Sequence, residues 1–276
     1  HLGVASNGYD ALKLLPASRL AKAQRVVLLV IDGLGDALLS QLGPHSALRD
    51  LQVGTMTSVY PPTTATAVTT LMSGLAPQQH GLTGWFMHFR KLGAVTAVLP
   101  FMPRYSRTPV SGAGVPLDAV VDVPSFCASV DGASVALLPA VIADSDFSRA
   151  VGRGATRIGY RDMADFATFL DALCAGNSDA RYIYAYWSDF DHMAHVHGPS
   201  SPQVAAHFQA LDRALAGIAE TCAKHGTALV ATADHGFLDS GPAERVDLAD
   251  HPQLADYLTL PLCGEPRSTY CYVRHH

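Results

Sequence analysis

Short apolar runs rich in β-branched residues, each followed by turn residues and a helical pattern, restrict most strongly how this chain can fold. They lie at residues 26–31, 58–60, 135–142, 182–187 and 228–232. Continuously apolar strands are buried on both faces, which is typical of parallel strands covered by helices on each side. The alternation of strands and helices therefore predicts a three-layer α/β/α fold around a largely parallel central sheet.

The clearest helix between these runs begins after Ser201, a serine N-cap that precedes Pro202 at the first helical position. Apolar residues at helical spacing follow it and form one stripe: Val204, Phe208, Leu211, Leu215 and Ile218. Such a stripe predicts an amphipathic helix that packs one side against the core.

The domain organisation follows from length and from one interruption of the pattern. A length of 276 residues suits one α/β domain, so residues 1–276 are predicted to form a single unit. The proline-rich stretch at about 85–124 predicts a small irregular cap on it. The strand-like segment at 270–274 lies just before the last residue, and we expect that C-terminal sequence is missing.

Composition excludes several classes of function. The formal net charge is −5, so the chain offers no basic field for a nucleic-acid duplex. No apolar run approaches the roughly 18 residues that a membrane span needs. Five widely spaced cysteines favour a reducing compartment, and the N-terminal residues lack the apolar core of a signal peptide, so a cytoplasmic location is predicted.

Two of the apolar runs end directly in a carboxylate. Asp32 follows the first run and precedes Gly33, and Asp234 follows the last run and precedes His235 and Gly236. In open α/β sheets, ligands bind outside the carboxyl ends of the strands. These residues therefore predict a site at that edge, although Asp-Gly after a strand is also an ordinary turn signal.

Hydroxyl groups stand at the start of another helical pattern. Thr63 and Thr64 follow a Pro-Pro pair, and free backbone N–H groups at a helix N-terminus suit an anion such as phosphate. The alternative is that one of these threonines merely caps the helix.

An Asp-x-x-x-His pair gives the sharpest metal signal in the chain. Asp191 and His195 are four residues apart, so on a helix their side chains face the same way and can hold one ion. The nearby His192 and His197 are predicted not to bind metal, and to lie at the surface or in contact with the ligating residues.

Taken in chain order, these motifs resemble the alkaline phosphatase superfamily, and within it the nucleotide pyrophosphatase/phosphodiesterase family. The resemblance extends over about residues 26–240 and includes the segment at 73–81. It implies that Thr64 is the nucleophile, because Thr64 stands ten residues before Gly74 as in the family pattern. Thr63 is the competing choice.

The resemblance also implies two divalent metal ions, with zinc as the first choice and manganese compatible with the same oxygen and nitrogen ligands. The implied ligands are Asp191 and His195 for one ion, and Asp32, Thr64, Asp234 and His235 for the other.

The chain departs from the family pattern at two places. The family usually has an asparagine three residues after the nucleophile, where this chain has Ala67, so we assign oxyanion binding to the backbone N–H of Ala65. The family also uses a distant downstream histidine as a ligand. This chain offers only His251, His275 and His276, of which His251 is the stand-in.

The predicted function is a metal-dependent phosphohydrolase. It would cleave phosphodiester or nucleotide pyrophosphate bonds of small phosphate esters, nucleotides among them, through a phosphothreonine at Thr64. Within the superfamily, a phosphonate hydrolase, a phosphomonoesterase or a phosphomutase stays open. A catalytically silent metal- or phosphate-binding protein is the alternative from another class, suggested by the missing asparagine and histidine.

The cap leaves substrate choice open. Its aromatic residues Trp85, Phe86 and Phe89 could stack on a nucleobase or could pack the cap onto the core. Its cationic residues could contact a terminal phosphate or lie solvated at the surface: Arg90, Lys91 and Arg104.

Overall fold

A computed structural model describes residues 2–4 and 8–274. The strands, in chain order, are β1 (Arg25–Ile31), β2 (Phe86–Phe89), β3 (Ala94–Ala97), β4 (Met102–Pro103), β5 (Ala133–Pro139), β6 (Ala155–Tyr160), β7 (Ala180–Trp187), β8 (Thr227–Thr232), β9 (Cys263–Gly264) and β10 (Thr269–Tyr270). The α-helices are α1 (Asp36–Leu42), α2 (Ala47–Asp50), α3 (Thr64–Ser73), α4 (Pro77–His80), α5 (Phe126–Ser129), α6 (Asp146–Val151), α7 (Met163–Cys174), α8 (Asp189–His197), α9 (Pro202–Lys224) and α10 (Pro252–Tyr257).

The central sheet has five strands in the order β6-β5-β7-β1-β8. All of its pairings are parallel, and β1 lies between β7 and β8. The predicted parallel sheet is therefore confirmed. Because all five strands run the same way, their carboxyl ends meet at one edge.

Helices cover both faces of this sheet, so the predicted three-layer architecture is also confirmed. Val27 and Leu29 of β1 belong to a core cluster that includes residues of α7, α8 and α9, whereas Val30 belongs to a second cluster that includes residues of α3. The neighbouring strand alternates in the same way, with Ile183 in the first cluster and Tyr184 in the second.

The predicted amphipathic helix is α9, and Pro202 is its first residue. The hydroxyl of Ser201 accepts a hydrogen bond from the N–H of Val204, as expected of an N-cap. All five residues of the predicted stripe are at most 3% exposed. The helix thus packs its apolar stripe against the sheet, as its sequence pattern predicts.

A second, smaller sheet is built from the predicted cap region and from the C-terminal segment. Its strand order is β10-β9-β2-β3-β4, and its pairings are antiparallel. Two 3-10 turns, Val110–Ala113 and Leu117–Ala119, follow the strands of the cap region. Phe89, Phe101 and Val110 are buried in the second core cluster, so this region packs on one face of the central sheet.

Two details of the central sheet differ from the sequence analysis. Residues 58–60 do not form a strand, because two prolines follow at once and supply no N–H donors for a ladder. The fifth strand of the sheet is instead β6, which the apolar runs do not predict. β6 is an edge strand with only its last residue buried, so its sequence lacks a continuous apolar run.

Among the described residues, no helix combines the length and the apolar character that crossing a membrane requires.

Candidate active site

Carboxylates from three neighbouring strand ends meet at the carboxyl edge of the central sheet. Asp32 follows β1, Asp234 lies just beyond β8, and Asp191 lies in the first turn of α8, which follows β7. β7, β1 and β8 are adjacent, which brings together residues that are about 200 positions apart in the sequence. This is the convergence that the strand-end motifs predict.

The imidazole of His235 lies at the centre of this group. Its Nε2 atom is 3.2 Å from Asp32 Oδ1, 3.7 Å from Asp234 Oδ2 and 3.9 Å from Asp191 Oδ1. The same nitrogen lies 3.1 Å from Thr64 Oγ1. Four of the predicted ligands therefore surround the Nε2 atom of the fifth, His235.

One oxygen of each buried carboxylate is held by the protein. Asp234 Oδ1 accepts hydrogen bonds from the N–H of Gly33 at 3.1 Å and from the N–H of His235 at 2.8 Å. The hydroxyl of Tyr186 donates to Asp32 Oδ2. These bonds fix the carboxylates and turn their other oxygens toward the imidazole.

The remaining oxygens fit a cation. Asp32 Oδ1, Asp191 Oδ1 and Asp234 Oδ2 are buried and have no hydrogen-bond partner among the residues that the structure describes. Buried polar atoms normally find a partner, so such atoms require an explanation. One ligand atom each from Asp32, Asp234 and His235 lie within 4.8 Å of one another, which suits a metal ion.

The electrostatics of the group point to the same conclusion. Burial, followed by the charge of Asp32, raises the pKa of Asp234 to about 7, and burial also raises the pKa of Asp191. Burial lowers the pKa of His235, but the close approach of its Nε2 atom to Asp32 Oδ1 and the carboxylate charges outweigh this and raise it to about 10. Burial thus disfavours the charges of Asp191 and Asp234, and a bound cation would offset this penalty.

A backbone carbonyl fixes the orientation of the His235 ring. Its Nδ1 atom lies 3.2 Å from the carbonyl oxygen of Gly236, which holds a proton on Nδ1. A second partner of this kind fixes the tautomer of a ligating histidine and leaves Nε2 as the donor to metal.

The threonines at the start of α3 have different partners. Thr64 is the first residue of the helix and its hydroxyl faces His235, whereas Thr63 is the N-cap. Thr63 Oγ1 donates a hydrogen bond to the carboxylate of Glu265. Of the two hydroxyls, that of Thr64 lies against the cluster of carboxylates and His235.

Asp191 and His195 share one face of α8, as predicted. His195 Nε2 lies 3.4 Å from Asp191 Oδ1, and the His195 side chain is 68% exposed. Its ring makes an edge contact with Phe237 at a centroid distance of 5.0 Å, and the His235 ring contacts the same phenyl at 5.9 Å. Phe237 thus lies against the imidazoles of both predicted metal sites.

Gly33 provides the space for this packing. Its φ is +76°, and a Cβ there would lie 2.5 Å from Phe237 Cε2 and 3.2 Å from Asp191 Oδ1. The glycine after Asp32 is therefore required both by its left-handed backbone and by the close approach of the Asp191 carboxylate.

The remaining predicted residues lie as follows. Ala65 and Ala67 are buried in the first turns of α3, at 0% and 4% exposure. His251 is exposed at the N-terminus of α10 and is not part of the ligand cluster found in the described ranges. His275 and His276 lie outside the described residues.

The cap residues are engaged within the small sheet. Phe89 is buried in the core, and Arg104 lies over the Phe86 ring at 4.1 Å and donates to the carbonyl oxygen of Leu262. Lys91 Nζ donates to the carbonyl oxygen of Ala119 at 2.9 Å. These contacts favour packing of the cap over contact with a terminal phosphate.

Three residues that support the site are not predicted by the sequence patterns. Tyr186, Phe237 and Glu265 carry no motif, and no spacing links them to the ligands. The position of Tyr186, in the last residues of a buried strand, was the one available signal, since strand ends supply site residues in this class of fold.

Comparison with known proteins gives a family match over most of the chain. The family described as "Type I phosphodiesterase / nucleotide pyrophosphatase" matches residues 26–261. A search of curated proteins finds no match.

Solved structures share the alkaline-phosphatase-like fold at low sequence identity. An inactive threonine-to-alanine variant of murine ectonucleotide pyrophosphatase/phosphodiesterase 5 in complex with AMP has a TM-score of 0.62 at 15% identity, over 82% of this chain and 61% of that chain. The human protein of the same name has a TM-score of 0.56 at 19% identity, with the same coverage of 82% and 61%.

Phosphonoacetate hydrolase from Sinorhizobium meliloti 1021 in complex with phosphonoformate has a TM-score of 0.53 at 16% identity, over 78% of this chain and 57% of that chain. This chain spans about three fifths of the length of these solved structures.

Proposed function

Because this chain belongs to the type I phosphodiesterase/nucleotide pyrophosphatase family, we propose that it is a metal-dependent hydrolase of small phosphodiesters or nucleotide pyrophosphates. Thr64 is the proposed nucleophile, and the reaction passes through a phosphothreonine. The substrate is a small phosphate ester, nucleotides among them.

One observation carries this proposal. Three buried carboxylate oxygens without hydrogen-bond partners in the described chain surround His235 Nε2, and the Thr64 hydroxyl lies 3.1 Å from the same nitrogen. A cation would pair these oxygens, and a nucleophilic hydroxyl beside it has the position that phosphoryl transfer needs. An ordinary strand-end turn does not explain why three buried carboxylate oxygens without hydrogen-bond partners in the described residues converge on one imidazole nitrogen.

The donor set fits two divalent ions, with zinc preferred and manganese compatible. The proposed ligands are Asp32, Thr64, Asp234 and His235 for one ion, and Asp191 and His195 for the other. When bound, such ions lower the pKa of a hydroxyl or water and offset the negative charge that develops on oxygen.

The chain's own residues then set the course of the reaction. Thr64 Oγ1 forms a bond to phosphorus as the bond to the leaving oxygen breaks, and its hydroxyl proton passes to solvent. Water next cleaves the Oγ1–P bond and restores the hydroxyl, so the phosphothreonine is transient. A threonine is also the residue replaced in the inactive murine neighbour.

Backbone N–H groups at the start of α3 replace the asparagine that the family usually provides. The first N–H groups of a helix have no partner inside it and carry a partial positive charge. We assign the non-bridging phosphate oxygen to this turn, with the N–H of Ala65 as the main donor.

The experiment uses the full chain, stripped with chelator and refilled with zinc or manganese. Bis-p-nitrophenyl phosphate, p-nitrophenyl phosphate and phosphonoacetate are compared as substrates. Metal-dependent preference for the diester supports the proposal. Monoester preference would move the assignment to a phosphatase or mutase, and no metal-dependent turnover at all would leave a silent binding protein.

A variant series tests the nucleophile in the same assay. Thr64→Ala should lower kcat by roughly 10³-fold or more, since the residual rate comes from binding alone. Thr63→Ala, at the competing position, should lose far less. An equal loss in both variants, or a larger loss at Thr63, would refute the assignment.

Phosphonate hydrolysis is the second candidate. It is favoured by the likeness to phosphonoacetate hydrolase. Turnover of phosphonoacetate above that of the diester would select it.

A further inference from the structure

Glu265 contacts the residue next to the proposed nucleophile, and it does so from a part of the chain that no motif connects with that nucleophile. It follows β9, and its Oε1 atom accepts a hydrogen bond from the Trp85 N–H at 2.7 Å. The same oxygen accepts the hydroxyl of Thr63, the residue before Thr64. One half-buried carboxylate therefore joins the β9–β10 hairpin, the start of the small sheet and the N-terminus of α3.

The backbone around Glu265 holds this carboxylate in place. Gly84 and Gly264 pack backbone against backbone, since a Cβ on Gly84 would lie 2.6 Å from Gly264 Cα. Beyond this contact the hairpin turns tightly, because the Glu265 N–H donates to the Ser268 carbonyl at 3.2 Å. The Thr269 hydroxyl also donates to the Glu265 carbonyl at 2.7 Å. The carboxylate thus projects from a fixed turn.

Thr63 has the position of a helix cap but does not act as one. Threonine at the N-cap normally accepts a hydrogen bond from the second or third N–H of the helix, here Ala65 or Thr66. Within the described chain, the Thr63 side chain makes no such bond, and its hydroxyl turns to Glu265 instead. Hydrogen bonds to a charged acceptor are the stronger kind, which accounts for this choice.

This arrangement leaves the N-terminus of α3 without a side-chain cap, although that end of the helix is buried. Ala65 and Thr66 are both 0% exposed, and a buried helix end without a cap is unfavourable. The three nearby carboxylate oxygens also lack hydrogen-bond partners in the described residues. The N-terminus of α3 and the carboxylate cluster therefore both contain polar atoms without partners among those residues. A phosphate that bridges the cations and the first turn of α3 would satisfy both.

We infer that Glu265 is a positioning residue, which holds the Thr63 hydroxyl away from the first turn of α3 and so keeps its N–H groups free for a phosphate oxygen. This inference rests on the proposed function for the identity of the anion. Glu265 touches no reacting atom and acts through Thr63. The 263–270 segment is thereby a required part of the site.

The test measures the affinity of the zinc-loaded full chain for inorganic phosphate in the wild-type protein and in three variants. Glu265→Ala frees Thr63 to cap the helix, and phosphate affinity should fall about tenfold. Glu265→Gln keeps an acceptor oxygen and should stay within about threefold. The decisive variant is Glu265→Ala with Thr63→Val, because valine has the shape of threonine but cannot cap. This double variant should regain most of the lost affinity.

A merely structural role for Glu265 predicts a different result. Loss of its bond to Trp85 would lower affinity equally with Thr or Val at position 63, and an unrescued double variant overturns the inference. If Glu265→Ala does not fold, Glu265→Met fills the same space without an acceptor and enters the same comparison.

A metal-free measurement separates this inference from the proposed function. With chelator present, the Tm losses of Glu265→Ala and Thr63→Val should be non-additive, because both remove the same hydrogen bond. Additive losses refute the coupling whether or not the protein hydrolyses esters. Coupling without any hydrolysis would refute the proposed function alone.

Discussion

Replacing Asp234 by asparagine should stabilise the metal-free protein at alkaline pH while it weakens metal binding. Asp234 is 2% exposed, and its Oδ1 atom accepts two backbone N–H groups. An asparagine oxygen can accept both bonds. Its amide nitrogen would occupy the place of Oδ2, which lacks a hydrogen-bond partner among the described residues and lies 3.7 Å from His235 Nε2.

The magnitude follows from the pKa of Asp234, which is about 7 in the folded protein against an ordinary value of 3.8. A raised pKa in a carboxyl group means that its charge opposes folding, so the wild-type protein loses stability as pH rises from 3.8 through 7. At 1.36 kcal/mol per unit, the penalty reaches about 4 kcal/mol at pH 8, about 2 kcal/mol at pH 5 and nearly zero at pH 3. The neutral amide of the Asp234→Asn variant carries none of this penalty.

The assay is urea unfolding in chelator at pH 3, 5 and 8, with zinc binding measured separately on the refilled protein. Asp256→Asn, at an exposed position of α10, is the matched control and should show no such trend. A gain in unfolding free energy for Asp234→Asn that is the same at every pH would refute the argument that the charge of Asp234 opposes folding and serves to bind a cation. A loss at pH 8 would also refute it.

Three further outcomes follow from the structure. Gly33→Ala should lower the free energy of unfolding by about 1–2 kcal/mol, because Gly33 has a left-handed backbone, and it should also weaken zinc binding. Gly217→Ala, inside α9, should raise the free energy of unfolding by about 0.5–1 kcal/mol. Urea unfolding measures both changes. Burial lowers the pKa of His80 to about 4, so the contribution of neutral His80 to stability should be fully present above pH 6.5 and be lost as pH falls toward 4. His80→Gln should remove up to about 3 kcal/mol of that dependence, and parallel pH curves for the two proteins would contradict it. Tyr186→Phe should lower zinc affinity by roughly 10-fold or more, since the hydroxyl that holds Asp32 is lost, and unchanged calorimetric affinity would count against it.

Sequence patterns predicted the central sheet where strands are buried on both faces and failed where they are not. β1, β5, β7 and β8 are largely apolar runs and were located from the sequence. β6 lies at the sheet edge and carries Arg157 and Gly159, so its pattern resembles a loop. The segment at 58–60 has strand-like residues but leads into Pro61 and Pro62, which cannot donate to a ladder.

Some residues of the candidate site could be predicted from the sequence and others could not. Asp32, Asp234 and His235 could be predicted because strand ends converge in a parallel sheet, and helical spacing paired Asp191 with His195. Glu265 could not be predicted, since its contact with Thr63 depends on the backbone packing of two distant glycines. Such tertiary contacts have no local periodicity, and only the folded chain contains them.

The position of β1 inside the sheet, between β7 and the edge strand β8, has a consequence for synthesis of the chain. Its partners β7 and β8 follow roughly 150 and 200 residues later, so the nascent strand 25–31 leaves the ribosome long before either neighbour exists. At about 5–20 residues per second, that interval is roughly 10–40 s. An apolar strand with two open edges can pair with other chains during this time. The need for chaperones should therefore be highest before β7 and β8 have been synthesised. The carboxylates at the strand ends can come together only after these strands have paired with β1.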